Sequence, residues 1–183
     1  MRSLKLVASA VLLALTVACA LGDRTGTSHP ASLGTVPSDW PTLTDSTYGF
    51  SLRYPHGWTQ EFDQPAGFHA LASRADLTNL LELQGNDYWL VAQADMRDPS
   101  GGCGEPSQGQ VDRTATTLGG QPATRYVITG TRGDTTQHIV DVIALRGGNC
   151  FTIQLVAGGG IPLDRELSTL QEIQASYRFG PTG

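Results

Sequence analysis

The sequence predicts an α+β fold centred on an antiparallel sheet, and three observations predict it. Extended segments over 123–129, 137–145 and 150–157 follow one another with only short turns between them, at 130–134 and at Gly147-Gly148-Asn149. Such turns join antiparallel neighbours, whereas parallel strands need a long crossover. A helical stripe comes late, where Leu163, Leu167, Leu170 and Ile173 recur at four, three and three residues. The length is the third: removing residues 1–18 from 183 leaves one domain of ordinary size, able to bury a core.

The chain opens on Arg2 and Lys5, an apolar run over 6–17, and then Ala18-Cys19. A basic start, a short apolar stretch and small residues before a cleavage point form a secretory signal, too short to span a bilayer. With Cys19 directly after Ala18, residues 1–18 resemble a bacterial lipoprotein signal peptide and its lipobox, with Thr16 where that pattern prefers Leu. The resemblance implies a palmitate-type diacylglyceryl group on the Cys19 thiol, cleavage after Ala18 and acylation of the new amine. Each buried methylene is worth about 0.8 kcal/mol, so two acyl chains anchor stably. The expected location is the extracytoplasmic face of the cell membrane, on a cell surface or in a periplasm. An ordinary secretory signal with an incidental cysteine would instead release the chain. Residues 19–38 (CALGDRTGTSHPASLGTVPS) are rich in Gly, Ser, Thr and Pro without periodicity, a tether with a reach of about 25 Å.

From Trp40 the texture changes. In Tyr48-Gly49-Phe50-Ser51-Leu52-Arg53-Tyr54-Pro55 the residues Phe50, Leu52 and Tyr54 share one face of a half-buried strand that a proline ends. His56-Gly57 turns the chain, and Trp58 with Phe62 begins a second short strand. Residues 67–73 read as a third, with Phe68, Ala70 and Ala72 aligned. The stretch 77–83 fits a short helix or a strand, 88–96 a strand, and 97–110 a Pro/Gly/Ser loop. Residues 111–118 are extended and lead to Gly119-Gly120. Ile139, Val140, Val142, Ile143 and Leu145 put apolar groups on both faces of one strand, predicting a central strand covered on both sides. A helix is expected over about 163–174, with Asp164 and Glu166 serving its N-terminal dipole, before a short extended end at 176–179.

Three cysteines are present, and the lipobox takes one. In an oxidising exterior the remaining pair, Cys103 and Cys150, reads as a disulfide, against the alternative of two unrelated thiols. It would close a loop worth about 4 kcal/mol in the chain-entropy model. With residues 1–18 removed, ten basic and seventeen acidic residues remain, a net charge of −7. That argues against nucleic acid and against electrostatic docking on anionic lipid. Lys5 is the only lysine, so the mature chain offers no Schiff-base or phosphate-loop lysine.

Tyr48-Gly49-Phe50-Ser51 with Tyr54-Pro55-His56-Gly57-Trp58 resembles the opening strand and turn of PsbP-like domains. Trp40, Thr42 and Thr44-Asp45, the element Gly119-Gly120-Gln121-Pro122-Ala123, and the ending Ile173-Gln174-Ala175-Ser176-Tyr177-Arg178-Phe179 resemble further parts of that family. The resemblance covers about residues 39–180, one globular domain. It implies a central antiparallel sheet flanked by helices on both faces, an α/β/α sandwich. The family includes photosystem accessory proteins and actinobacterial lipoproteins of the LpqN kind, and its members are largely non-enzymatic. The loop around Cys103 stands where many members carry a helix.

Catalytic motifs are missing. The sequence holds no Gly-x-Ser-x-Gly, Ser-x-x-Lys or His-Glu-x-x-His. His56, His69 and His138 lack metal-ligand spacing, and Asp134 and Asp141 show no partner in sequence. Gly158-Gly159-Gly160 before a helix suits either an anion cradle or a simple crossover. Trp40, Trp58 and Trp89 read as core. No catalytic residue, metal site or cofactor is therefore expected. The expected function is a membrane-anchored binding or assembly module for a protein or envelope component. The alternative is a small-ligand carrier or hydrolase with a cleft beside the 97–110 loop.

Overall fold

The computed structural model describes residues 35–60, 65–96, 102–106, 109–132 and 135–180. The signal segment, Cys19, Phe62 and Asp134 lie outside them, as do residues 97–101, 107 and 108 of the expected loop. Ten strands and one α-helix are present among the described residues. Strands β1 (Thr42–Asp45) and β2 (Phe50–Arg53) form a hairpin. Then come β3 (Thr59–Gln60), β4 (Phe68–Ala72) and β5 (Tyr88–Met96). They are followed by β6 (Gln110–Leu118), β7 (Gln121–Arg132), β8 (Thr135–Arg146) and β9 (Asn149–Ala157). Helix α1 (Leu163–Ser176) and β10 (Arg178–Phe179) end the described chain.

Seven strands make one antiparallel sheet in the order β3-β4-β5-β9-β8-β7-β6. The meander β6 to β9 is the run of short turns predicted from sequence, and β5 pairs β9 on its other side, so β9 is the middle strand. A second sheet, β1-β2-β10, joins both ends of the domain, with Arg178 opposite Ser51 and Phe179 opposite Phe50.

Period-two alternation gives the large sheet two different faces. On one, Leu90, Ala92, Val140, Val142, Ile153 and Leu155 are buried beneath Phe50 and Leu52 of β2 and Leu170 and Ile173 of α1. Phe50 stacks on Tyr177 at 5.5 Å, and Phe179 meets Phe151 edge-on at 4.8 Å. Burial of this kind, about 25 cal/mol per Å² of apolar surface, is the main stabilising contribution to the domain.

The opposite face departs from the expected sandwich. Ala70, Ala72, Trp89, Val91 and Val156 are covered there by Leu77 and Leu83 from the β4–β5 connection. That connection holds only a single 3-10 turn, Leu80–Glu82. Further along, Ile139 and Ile143 are half-buried and Leu145 is 44% exposed. Among the described residues one α-helix covers one face, and no second helix lies on the other. The physical reason is local: 102–106 (GCGEP) has no apolar stripe and weak helix formers, so it stays a loop. The expectation that β8 is covered on both sides holds on the core face, where Val140 and Val142 are buried, and fails on the other, where Ile143 is half-buried and Leu145 exposed.

The Gly158-Gly159-Gly160 crossover serves close packing. The N–H groups of Gly158 and Gly160 donate to the carbonyls of Asp87 and Gly85, at 2.8 and 3.1 Å. A Cβ at Gly158 would lie 2.8 Å from the carbonyl oxygens of Gln84 and Gly85, so the close approach requires glycine. These donors are spent inside the protein rather than turned to an anion.

Candidate functional site

The half-open face carries a groove of about 490 Å³ between the 102–106 loop and the strands beneath it. Its floor comes from β8 and β9. Alternation along β8 aims Ile139, Asp141 and Ile143 to this face while Val140 and Val142 enter the core. On β9 the same rule delivers Cys150, Thr152 and Gln154, and Gln154 is the direct cross-strand partner of Asp141.

The overhanging loop is fixed at two points. Cys103 and Cys150 are joined by a disulfide with an S–S distance of 2.10 Å and Cα atoms 5.5 Å apart. Two residues on, Glu105 pairs with the Arg113 guanidinium and accepts a 3.3 Å hydrogen bond from the Tyr126 hydroxyl. Arg113 also lies 5.5 Å over the Tyr126 ring. Burial, and then the charge of Glu105, push the Tyr126 hydroxyl above its ordinary pKa.

Asp141 is the unusual group. It is only 6% exposed, and its Oδ1 is buried with no hydrogen-bond partner in the protein. Burial raises its pKa, and the neighbouring Gln154 side chain pulls it part of the way back. A buried carboxyl with an unfilled acceptor costs about 1–3 kcal/mol unless something donates to it.

A second carboxylate–imidazole pair has a structural explanation. Asp45 Oδ2 lies 2.8 Å from His69 Nε2 and 3.0 Å from the Gly67 N–H, and Oδ1 accepts from the Tyr48 N–H at 2.7 Å. Burial alone would raise the Asp45 pKa, but the Tyr48, His69 and Gly67 hydrogen bonds outweigh it and hold the carboxylate below its ordinary value. The pair staples β1 to β4. Gly67, at φ +82°, lets the chain pass Ala94, since a Cβ there would sit 2.6 Å from its carbonyl oxygen.

His138 Nδ1 lies 3.2 Å from Thr129 Oγ1, and His56 occupies an exposed turn. No group of three or more His, Cys, Asp and Glu that could hold a metal ion occurs among the described residues. Trp89 is buried, and Trp40 and Trp58 pack against the main core. Sequence reasoning named Asp141 and both cysteines but missed Glu105, Arg113, Tyr126 and Gln154. The readable signal was Asp141 itself, a charge inside the run Ile139-Val140-Asp141-Val142-Ile143.

No family model matches the chain, and no curated protein matches it. Solved structures do. The solution structure of cyanobacterial PsbP (CyanoP) from Synechocystis sp. PCC 6803 matches with a TM-score of 0.54 at 15% identity, over 80% of this chain and 98% of that one. The fold is PsbP-like. A crystal structure from Bacteroides thetaiotaomicron VPI-5482 matches at a TM-score of 0.48 and 11% identity, over 78% of this chain. There this chain spans about half, 49%, of the other's length. The crystal structure of LpqN, involved in cell envelope biogenesis of Mycobacterium tuberculosis, matches at a TM-score of 0.48 and 15% identity, over 78% of this chain and 86% of that one. In this chain the PsbP-like sheet is antiparallel and dominates the fold, with α1 as its only α-helix among the described residues. Those residues include no helix long and apolar enough to cross a membrane.

Proposed function

We propose that this chain is a membrane-anchored extracytoplasmic lipoprotein that acts as a non-enzymatic binding or assembly module. The observation that carries the reading is the groove: a sheet face with no helix on it among the described residues, overhung by a loop that a disulfide and the Glu105 pairings hold in place. Fixing a loop costs about 1–2 kcal/mol per residue in backbone entropy, and surface loops held on a rigid scaffold commonly carry binding function. Extracytoplasmic location is supported by the Cys103–Cys150 disulfide, a bond favoured in oxidising compartments, and by the signal-like residues 1–18. The anchor rests on Cys19 following Ala18. The partner in this reading is a protein or envelope component.

The small-ligand carrier or hydrolase remains a second reading because one observation favours it: Asp141 is a buried acid in a cleft. Two experiments test the proposal. Cys19→Ala should block maturation and remove an acyl mass from the purified protein; normal maturation, with no acyl mass on the wild type, overturns the anchor. A photoreactive residue at Ile143 should cross-link a partner in intact cells while one at Glu172 on α1 does not. Equal products from both positions, or none from Ile143, overturn the groove as the binding face.

A further inference from the structure

The groove is chemically one-sided. Three acids line it, Asp95, Glu105 and Asp141, and no basic residue does among the described residues. A nearby cation among the described residues, Arg113, is engaged by Glu105. Two uncharged polar side chains share the groove with Asp141, Gln154 across the strand pair and Thr152 on the same strand as Gln154. Ile139 and Ile143 flank Asp141 two residues either way and supply apolar walls. Asp141 Oδ1 remains buried without a donor.

We propose that this groove binds an alkylammonium group, a partner's lysine side chain or a free polyamine, with the cation on Asp141 and the methylene stem along Ile139 and Ile143. The proposal rests on the reading of this face as the binding surface and names what it takes. An ammonium brings three donors and no acceptor, which suits an orphan carboxyl oxygen in a groove with further acids and a threonine hydroxyl. A guanidinium fork wants two free oxygens of one carboxylate, and Gln154 already attends to this one. Lysine buries its stem on apolar surface while its charge finds the acid, as the isoleucine walls allow. The mature chain holds no lysine of its own, so no side chain ammonium within it competes for the site.

The test uses the full-length protein in detergent. Calorimetric titration compares Nα-acetyl-lysine methylamide, the uncharged norleucine counterpart with the same stem, and spermidine. The lysine probe is expected to saturate, to bind at least tenfold better than norleucine, and to shift backbone amide NMR signals at Ile143, Thr152 and Gln154. Asp141→Asn should weaken it at least tenfold, whereas Asp164→Asn on the exposed start of α1 should not. Spermidine binding tighter than the lysine probe assigns the site to free polyamines; the reverse order assigns it to a partner's lysine. Norleucine binding as well as lysine, lysine binding that ignores Asp141→Asn, or no amide shifts in the groove of the wild type would each overturn the proposal. If the Ile143 photo-cross-link still captures a partner in cells, only the cation assignment falls. If that cross-link also fails, the binding-face reading falls with it.

Discussion

The two faces of the large sheet are made by the same strands and have opposite fates. On the closed face Val140, Val142, Ile153 and Leu155 lie under the small sheet and α1, out of water. One residue away along each strand, Asp141, Ile143 and Thr152 look into a groove beneath a loop. What differs is the cover. A helix and a three-stranded lid exclude water on one side, and on the other a disulfide-held loop leaves space. A sheet stabilised from one side has stability to spare for an unpaired acid on the other, because single contributions of a few kcal/mol are weighed against the whole domain.

The sharpest way to break this comparison is paired truncation. Ile153→Ala should cost about 2–5 kcal/mol and Ile143→Ala less than about 1 kcal/mol, read by urea unfolding. Equal losses would mean the groove face is as tightly packed as the core. Next comes the disulfide. Replacing Cys103 and Cys150 together by Ser should cost about 2–4 kcal/mol. In hydrogen exchange the amides around 102–106 should lose protection while β9 and α1 keep theirs; simultaneous loss everywhere would make the bond a staple of the whole fold instead of the groove.

The smallest effect per unit change concerns pH, and it sharpens the contrast from the closed side. Glu166 is 0% exposed with no side chain paired to it, and burial raises its pKa to about 8 from an ordinary 4.5, the Ala157 backbone drawing it back only in part. The native state therefore keeps a proton that the unfolded chain has released between pH 4.5 and about 8. Stability is fully present below that window and falls as pH rises through it, by at most about 1.4 kcal/mol per pH unit. Glu166→Gln should flatten the profile and raise stability at pH 8 relative to the wild type, measured by unfolding at pH 5, 6.5 and 8. A flat wild-type profile would mean that water reaches this side too.

Much of the closed face was legible in the sequence because alternation and the α1 stripe are local signals. Phe50 and Leu52 sit two apart on a strand, and Leu163, Leu167, Leu170 and Ile173 lie on one side of a cylinder. The burial of Glu166 was hidden by its chemistry: position 166 falls on that same stripe, yet a carboxylate in a first turn reads as a dipole partner. Gln174 is another case, its side chain donating to Thr116 Oγ1 at 2.8 Å and to the Thr117 carbonyl. The groove was half legible. Cys103 and Cys150 could be paired by counting, and Asp141 broke an apolar run. Glu105, Arg113 and Tyr126 meet only because β6 folds back on β7, and no spacing in one dimension encodes that register.

The last strand completes a lid that the first strands began. β10 pairs β2 across nearly the whole domain, and Phe179 meets Phe151 and Tyr177 while Arg146 lies 4.5 Å over its ring. A chain emerging from its N-terminus during synthesis can assemble the large sheet once Ala157 is out, but α1 and Phe179 come only afterwards. Until then Leu155, Ile153 and Val142 stand uncovered, a sticky surface on an otherwise formed sheet. A product cut short before α1 would therefore keep that apolar surface exposed, a mark by which a protease or holding chaperone that reads exposed apolar surface tells it from a chain with α1 and β10 in place.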